Sequence, residues 1–334
     1  MLRTYLLIGT LLLSALVAPA QPSPCTAHHS LNDAWFTGPM LANTAATPSR
    51  GHLLLEPYLT DTRTQSTYSP SGARLPAPAA STYASETYLI YGLTDRLAAG
   101  ALPIFGYNTI PGEPTSAGPV LGDLTLILQR RLTGLHPCHH IPTLSLAAEQ
   151  TLPTGTFDNL GSRPANALGQ GVFTTTPAIF SQFYLWLPNR RILRTRLDIY
   201  DAISTTATVQ GVSVYGTTAG FRGTAHPGNS LTLDAAFEYS LTRRFALATD
   251  AVWRTAANTR ISGSNASATN SDSVPIGPTP INTNSGSSTA WALAPAMEYS
   301  WRPWIGILVG VRLYPAGHNT PDTITPAIAL SIVR

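Results

Sequence analysis

Two short clusters hold the residues whose types and spacing could do metal or redox chemistry. Cys25-Thr-Ala-His28-His29 stands near the N-terminus, and His136-Pro-Cys138-His139-His140 lies further along. Thiolate and imidazole suit zinc or copper, which makes Cys25, His28, His29, His136, Cys138, His139 and His140 the metal-ligand candidates. Cys25 and Cys138 are also the chain's two cysteines, and in an oxidising compartment two cysteines make one bridge. Pro-Ser-Pro precedes Cys25, which is not a lipidation context. A Cys25–Cys138 disulfide is the leading expectation, two unpaired cysteines in solvated segments the next, and no resident metal or cofactor is expected.

Hydrolytic chemistry needs a nucleophile, a base and an orienting group. Gly-x-Ser-x-Gly is absent, and its nearest approaches, Gly263-Ser-Asn and Gly211-Val-Ser-Val-Tyr-Gly, lack the strand-to-helix context. Phosphate-loop, dinucleotide and His-Glu-x-x-His motifs are absent too. His52, His226 and His318 fall near strand ends or external loops, where an enzyme acting on lipid could place a base. The plainer reading is interfacial or loop histidine. No catalytic residue is assigned, and the chain is read as a non-enzyme.

A third set of charges is set by period. Arg194, Arg196 and Asp198 alternate with Leu193, Thr195, Leu197 and Ile199. Arginine facing lipid at mid-membrane costs ~2–4 kcal/mol, so both arginines are expected to point inward if this strand crosses a bilayer. Asp198 pairs well with only one guanidinium, and Asp234 and Glu238 are the expected partners on the next strand.

The elements that would carry these charges are strands. Leu231 to Tyr239, Phe245 to Arg254, Trp291 to Tyr299 and Ile305 to Tyr314 all alternate apolar with polar or small residues, which is the period of a strand with one apolar face. Charged residues are only 11% of the chain, lysine is absent, and 28 prolines with 26 glycines break up helices. After the N-terminus the longest uninterrupted apolar run is Trp304 to Val311, far short of the ~20 residues of a spanning helix. The scattered arginines make no basic stripe, so nucleic acid is not an expected partner.

Residues 1–20 read as a secretory signal peptide, with Arg3 in the n-region, an apolar core and Ala18-Pro19-Ala20 at the cleavage site. Residues 21–50 read as a periplasmic leader or partial plug, and 51–334 as a closed antiparallel transmembrane β-barrel. Strands of about ten residues match a tilted bilayer crossing, and Tyr239, Trp253, Trp291, Tyr299 and Tyr314 are expected in interfacial girdles. Twelve strands are expected near 51–60, 82–91, 96–106, 120–131, 141–152, 172–187, 191–202, 229–240, 244–255, 288–300, 304–314 and 323–333. Long and short connections then alternate, as external loops and periplasmic turns do. Loop 256–287, rich in Asn, Ser, Thr and Gly, reads as a mobile external loop.

Strand parity assigns to the lumen Glu56, Glu86, Asp123, Glu149, Arg194, Arg196, Asp198, Asp234, Glu238, Asp250, Arg254, Glu298 and Arg312. Carboxylate–arginine ladders bracing a narrow barrel are one reading, since charges taken out of water are normally paired. A selectivity surface for permeants is the other, and both can hold.

Tyr91-Gly-Leu-Thr-Asp-Arg-Leu, Gly122-Asp-Leu-Thr-Leu and Leu152-Pro-Thr-Gly together resemble the "MetA-pathway of phenol degradation" family of outer-membrane transporters, over roughly 50–334. The resemblance implies a bacterial outer-membrane barrel that passes small solutes, aromatic or hydrophobic compounds among them, with outer-membrane lipid and the barrel-assembly machinery as partners. Barrels of this kind tend to end in an aromatic residue, whereas this chain ends Ile332-Val333-Arg334. The competing expectations are a non-transporting structural or adhesion-type barrel and, third, a lipid-modifying outer-membrane enzyme.

Overall fold

The computed structural model describes residues 30–134, 141–266, 268–269, 275–276 and 278–334. The alternating segments close into a twelve-stranded antiparallel barrel. In chain order its wall strands are β1 (Leu53–Tyr68), β2 (Ser81–Thr94), β3 (Leu97–Leu102, continued as Ile104–Thr109), β4 (Val120–Leu121, continued as Leu124–Arg131), β5 (Thr143–Leu152) and β6 (Thr174–Trp186). Then come β7 (Ile192–Ser204), β8 (Ser230–Ser240), β9 (Phe245–Ala256), β10 (Ser288–Arg302), β11 (Ile305–His318) and β12 (Thr320–Val333). Each strand pairs with its chain neighbour, and β12 returns to β1 with Leu54 opposite Val333. Closure leaves no wall edge unpaired, as a sheet in lipid requires.

The two faces of the wall separate by residue type. Outward-pointing Leu197, Phe237, Leu293, Met297 and Val309 are 45–52% exposed, while their inward neighbours Asp198, Glu238, Ala294 and Glu298 are at 0%. A soluble sandwich would bury the first set and solvate the second. Tyr239 and Tyr299 face outward toward the end with the short turns and the C-terminus, hereafter the periplasmic end. Trp253 and Trp291 face outward at the other end, their rings 6.3 Å apart across β9 and β10. Tyr314 is a correction: counted from buried Leu308, it shares the inner face with Arg312, whose Cζ lies 5.7 Å from its ring.

The wall rises beyond the membrane further than expected. The loop expected at 315–322 is a tight turn on Asn319 (φ 51°), because β11 runs to His318 and β12 starts at Thr320. The expectation of a mobile loop at 256–287 is also corrected over its described residues. Arg260–Asn265 and Thr279–Asn284 join Ala207–Gln210 and Phe221–His226 in a four-stranded external sheet. Serine and threonine fit strands well, and the apolar partners this loop lacks come from elsewhere: Phe157 and Val172 pack with Val209, Phe221, Ala225, Ile261 and Ile281.

Two of the resemblance motifs meet where the wall is interrupted. β3 breaks at Pro103 and β4 at Gly122-Asp123. The Thr154 hydroxyl donates to the Gly122 carbonyl (3.0 Å) and accepts from the Leu124 N–H (2.9 Å). Asp123 accepts from the Gly155 and Gln170 N–H groups (2.9 and 2.7 Å). It fastens loop 153–173 to the wall and lines neither lumen cavity described below, in contrast to its sequence assignment. Tyr215 ties a further loop to the same place by donating to the Gln170 carbonyl at 2.5 Å, and burial pushes its hydroxyl pKa up to about 12.

Candidate functional site

The lumen is threaded by the chain's own leader. After a short exposed 3-10 turn at Leu31–Asp33, residues 34–48 pass inside the wall as irregular backbone, whose N–H groups need acceptors in a site away from bulk water. Trp35 enters beside the β8–β9 turn, its backbone N–H donating to the Arg243 carbonyl (2.8 Å) and its indole lying 4.5 Å from the Arg243 guanidinium. Glu298 on β10 then accepts from the Thr37 and Gly38 N–H groups (2.6 and 3.1 Å). Asp250 on β9 accepts from Met40, Leu41 and Ala42 (3.0, 3.3 and 3.0 Å), and Asp198 on β7 from Asn43 (2.6 Å). The leader therefore crosses the barrel by stepping from one wall carboxylate to the next.

On the far side uncharged groups take over. Gln129 donates to the Thr44 carbonyl (2.8 Å), Ser145 donates to the Ala45 carbonyl (2.6 Å), and the Thr44 hydroxyl donates to Gln182 (3.1 Å). The chain leaves over the β2–β3 turn, where Asp95 accepts from the Arg50 N–H (3.0 Å) and its carbonyl from the Thr47 hydroxyl (3.0 Å). Here the Tyr91-Gly-Leu-Thr-Asp-Arg-Leu motif acquires a physical reason. A Cβ on Gly92 would sit 2.2 Å from the Ser49 carbonyl oxygen, so only glycine lets the leader pass. Thr94 closes the turn by accepting from the Arg96 and Leu97 N–H groups. Room along β10 comes from an inward row of alanines, Ala292, Ala294 and Ala296.

The arginines on β7 point inward, and Glu238 binds both. Arg194 makes a two-pronged pair with the Glu238 carboxylate, and Arg196 Nε lies 3.4 Å from Glu238 Oε2. Arg196 also donates to the Ala42 carbonyl (2.8 Å), and Arg194 stacks over Phe36 at 4.5 Å. Two expectations are corrected. Asp198 pairs with neither guanidinium, since the leader's Asn43 N–H and the Tyr200 hydroxyl (3.1 Å) occupy it. Asp234 pairs with no arginine; it stands opposite Asp198 in register and makes no hydrogen bond among the described residues.

The leader divides the lumen into two cavities. The periplasmic one, about 380 Å³, is lined by the leader with Glu56, Tyr58, Ile90, Phe180, Arg194 and Arg196. The external one, about 350 Å³, is lined by Asp234, Arg254, Arg312, Tyr200 and Tyr314 among others. Leu41, Asn43, Tyr88, Ile127 and Glu149 line both, and so stand at the boundary between them. Glu86 lies on the inner face of β2 opposite Tyr58.

Tyr88 and the glutamines were missed in the sequence, although Gln129, Ser145 and Gln182 share the parity that singled out the lumen charges. The cysteine–histidine clusters and the signal segment lie outside the described residues. His52, His226 and His318 place their Nδ1 against the Arg50 carbonyl (3.3 Å), the Thr206 hydroxyl (3.0 Å) and the Pro70 carbonyl (3.3 Å).

No protein-family model matches the chain, and no curated protein matches it. Among solved structures it is similar to an outer-membrane channel from Pseudomonas putida F1, at 15% identity and a TM-score of 0.65, over 88% of this chain and 100% of that one. A mutant of the TodX monoaromatic hydrocarbon channel is more distant, at 10% identity and a TM-score of 0.39, over 86% and 90% of the two chains. The beta domain of the Bordetella autotransporter BrkA, at 12% identity and a TM-score of 0.42, covers 85% and 99%. The chain has the fold of an outer-membrane β-barrel, the fold that its resemblance to the MetA-pathway family implies.

Proposed function

We propose that this chain is exported to the bacterial outer membrane and works there as a passive channel for small solutes, with its leader as the constricting element. The observation that carries this reading is the pair of cavities meeting at Leu41, Asn43, Tyr88, Ile127 and Glu149. A barrel packed shut would offer a continuous core, whereas here two cavities lie on either side of the leader and share part of their lining. Tyr58, Tyr88, Ile90 and Phe180 give the periplasmic cavity an apolar and aromatic wall, which favours small aromatic or hydrophobic permeants over large sugars. The buried Arg194–Glu238–Arg196 group braces the wall and anchors the leader. Outer-membrane lipid and the assembly machinery are the partners this role requires.

A non-transporting barrel whose folded external sheet binds a surface partner is the second reading, favoured by the four strands of that sheet, Ala207–Gln210, Phe221–His226, Arg260–Asn265 and Thr279–Asn284. Reconstitution separates the two. Liposomes carrying the purified protein should swell in small neutral solutes and show discrete single-channel currents. Impermeable liposomes with correctly folded protein would overturn the channel reading.

A further inference from the structure

The charges of the lumen fall into two groups that differ in pairing. Around the leader, Arg194 and Arg196 share Glu238, while Asp198, Asp250 and Glu298 accept backbone N–H groups. In the external cavity, four further charged side chains form no ion pair among the described residues: Glu149 on β5, Asp234 on β8, Arg254 on β9 and Arg312 on β11. Glu149 makes no hydrogen bond there. Asp234 is only 3% exposed, yet its Oδ1 has no partner. Arg254 has one long contact, to the Ser230 hydroxyl at 3.4 Å. Arg312 Nε is unpartnered, and its guanidinium meets the Tyr314 ring and lies within electrostatic reach of Glu86 on β2 without forming an ion pair with it.

Position around the wall explains why the first and last of these stay apart. Glu149 and Arg312 lie six strands from each other in either direction of the twelve-stranded circuit, which places them on opposite sides of the lumen. Opposite charges held on facing low-dielectric walls set up a field across the passage, stronger than the same charges would produce in water. A cavity of about 350 Å³ falls within the ~300–1,000 Å³ of small-molecule sites. Between the charged walls lie Leu41, Tyr88, Leu102, Ile127 and Val252, an apolar lining suited to a hydrocarbon or aromatic side chain.

We infer that the external cavity is a binding site for a small zwitterion, a solute of amino-acid size with an ammonium, a carboxylate and an apolar or aromatic side group. Glu149 takes the ammonium, Arg312 takes the carboxylate, and the apolar lining takes the side group. Asp234 and Arg254 extend the same pairing toward the external mouth. A singly charged solute satisfies one wall and leaves the other unpaired, so a dipolar solute is preferred. This inference rests on the channel reading and names its solute class.

The test uses the full chain in liposomes and three solutes that share one side group: phenylalanine, phenethylamine and 3-phenylpropanoate, with benzyl alcohol as a neutral reference. Phenylalanine should enter several-fold faster than either singly charged relative. E149Q should lower the ratio of phenylalanine to 3-phenylpropanoate uptake, and R312Q the ratio of phenylalanine to phenethylamine uptake. Both variants are first checked for the native barrel by their faster gel mobility unheated than boiled. If one fails to fold, E149D and R312K, which shorten or reshape the contact and keep its charge, should each give a smaller change in the same ratio. Equal entry of the three solutes, or ratios unmoved by the substitutions, would overturn the zwitterion site. If protein-dependent entry of benzyl alcohol is also missing, the channel reading fails with it.

Discussion

At the scale of single residues, the inward charges were legible from parity but their partners were not. Period 2 places Arg194, Arg196, Asp198, Asp250 and Glu298 on one face. Asp198, Asp250 and Glu298 bind a segment 155 to 261 positions away in sequence, and no local pattern records that distance. Asp250 shows the consequence most clearly, because it holds three successive leader N–H groups. Hydrogen bonds to a charged group contribute about 1.5–3 kcal/mol each. Asp250→Ala should therefore free the middle of the leader and raise single-channel conductance while the barrel still forms; unchanged conductance would show that Glu298 and Asp198 suffice. Arg196 joins wall to leader through Glu238 and the Ala42 carbonyl. Arg196→Ala should lower the temperature of barrel unfolding, at a cost of about 1–3 kcal/mol, and leave ion preference nearly unchanged because Arg196 is only 7% exposed. A shift toward cations without loss of stability would place Arg196 at the open pore instead.

At the scale of elements, the strands were legible because lipid on one side and a polar lumen on the other impose the same alternation throughout. Failures came where that two-sided constraint ends. Toward the external end β1 and β11 continue because their pairings with β12 and β10 extend with them, and Arg260–Asn265 and Thr279–Asn284 fold because Phe157 and Val172 supply their missing apolar cover. Tyr314 reads as a girdle residue by type, yet its parity puts it inside with Arg312. The leader was legible only as a Pro- and Ala-rich stretch, although the inward alanines of β10 and the glycines facing it were the signals of an occupied lumen. Gly306 tests this directly: a Cβ there would lie 2.2 Å from Thr37 Cγ2. Gly306→Val should push the leader off Glu298 and make it susceptible to protease added at the periplasmic face, with overpacking costing about 1–3 kcal/mol. Protection equal to the parent protein would mean that the leader does not pass over β11 at that point.

At the scale of the whole molecule, the barrel supplies a closed wall and the leader crosses its lumen, where the proposed channel would be constricted. Irregular backbone can lie at membrane depth only where protein or a cavity surrounds it, and the carboxylates of β7, β9 and β10 meet that condition here. The same carboxylates are thereby withdrawn from the pore, which leaves Glu149, Asp234, Arg254 and Arg312 as the charges a solute meets in the external cavity. The most direct measurement is single-channel conductance in planar bilayers for the full chain and for a chain lacking residues 30–50, each shown by heat-modifiable gel mobility to be a folded barrel. The account predicts small currents for the full chain and clearly larger ones without the leader, since the two cavities then merge. Equal conductance from the two chains would contradict it.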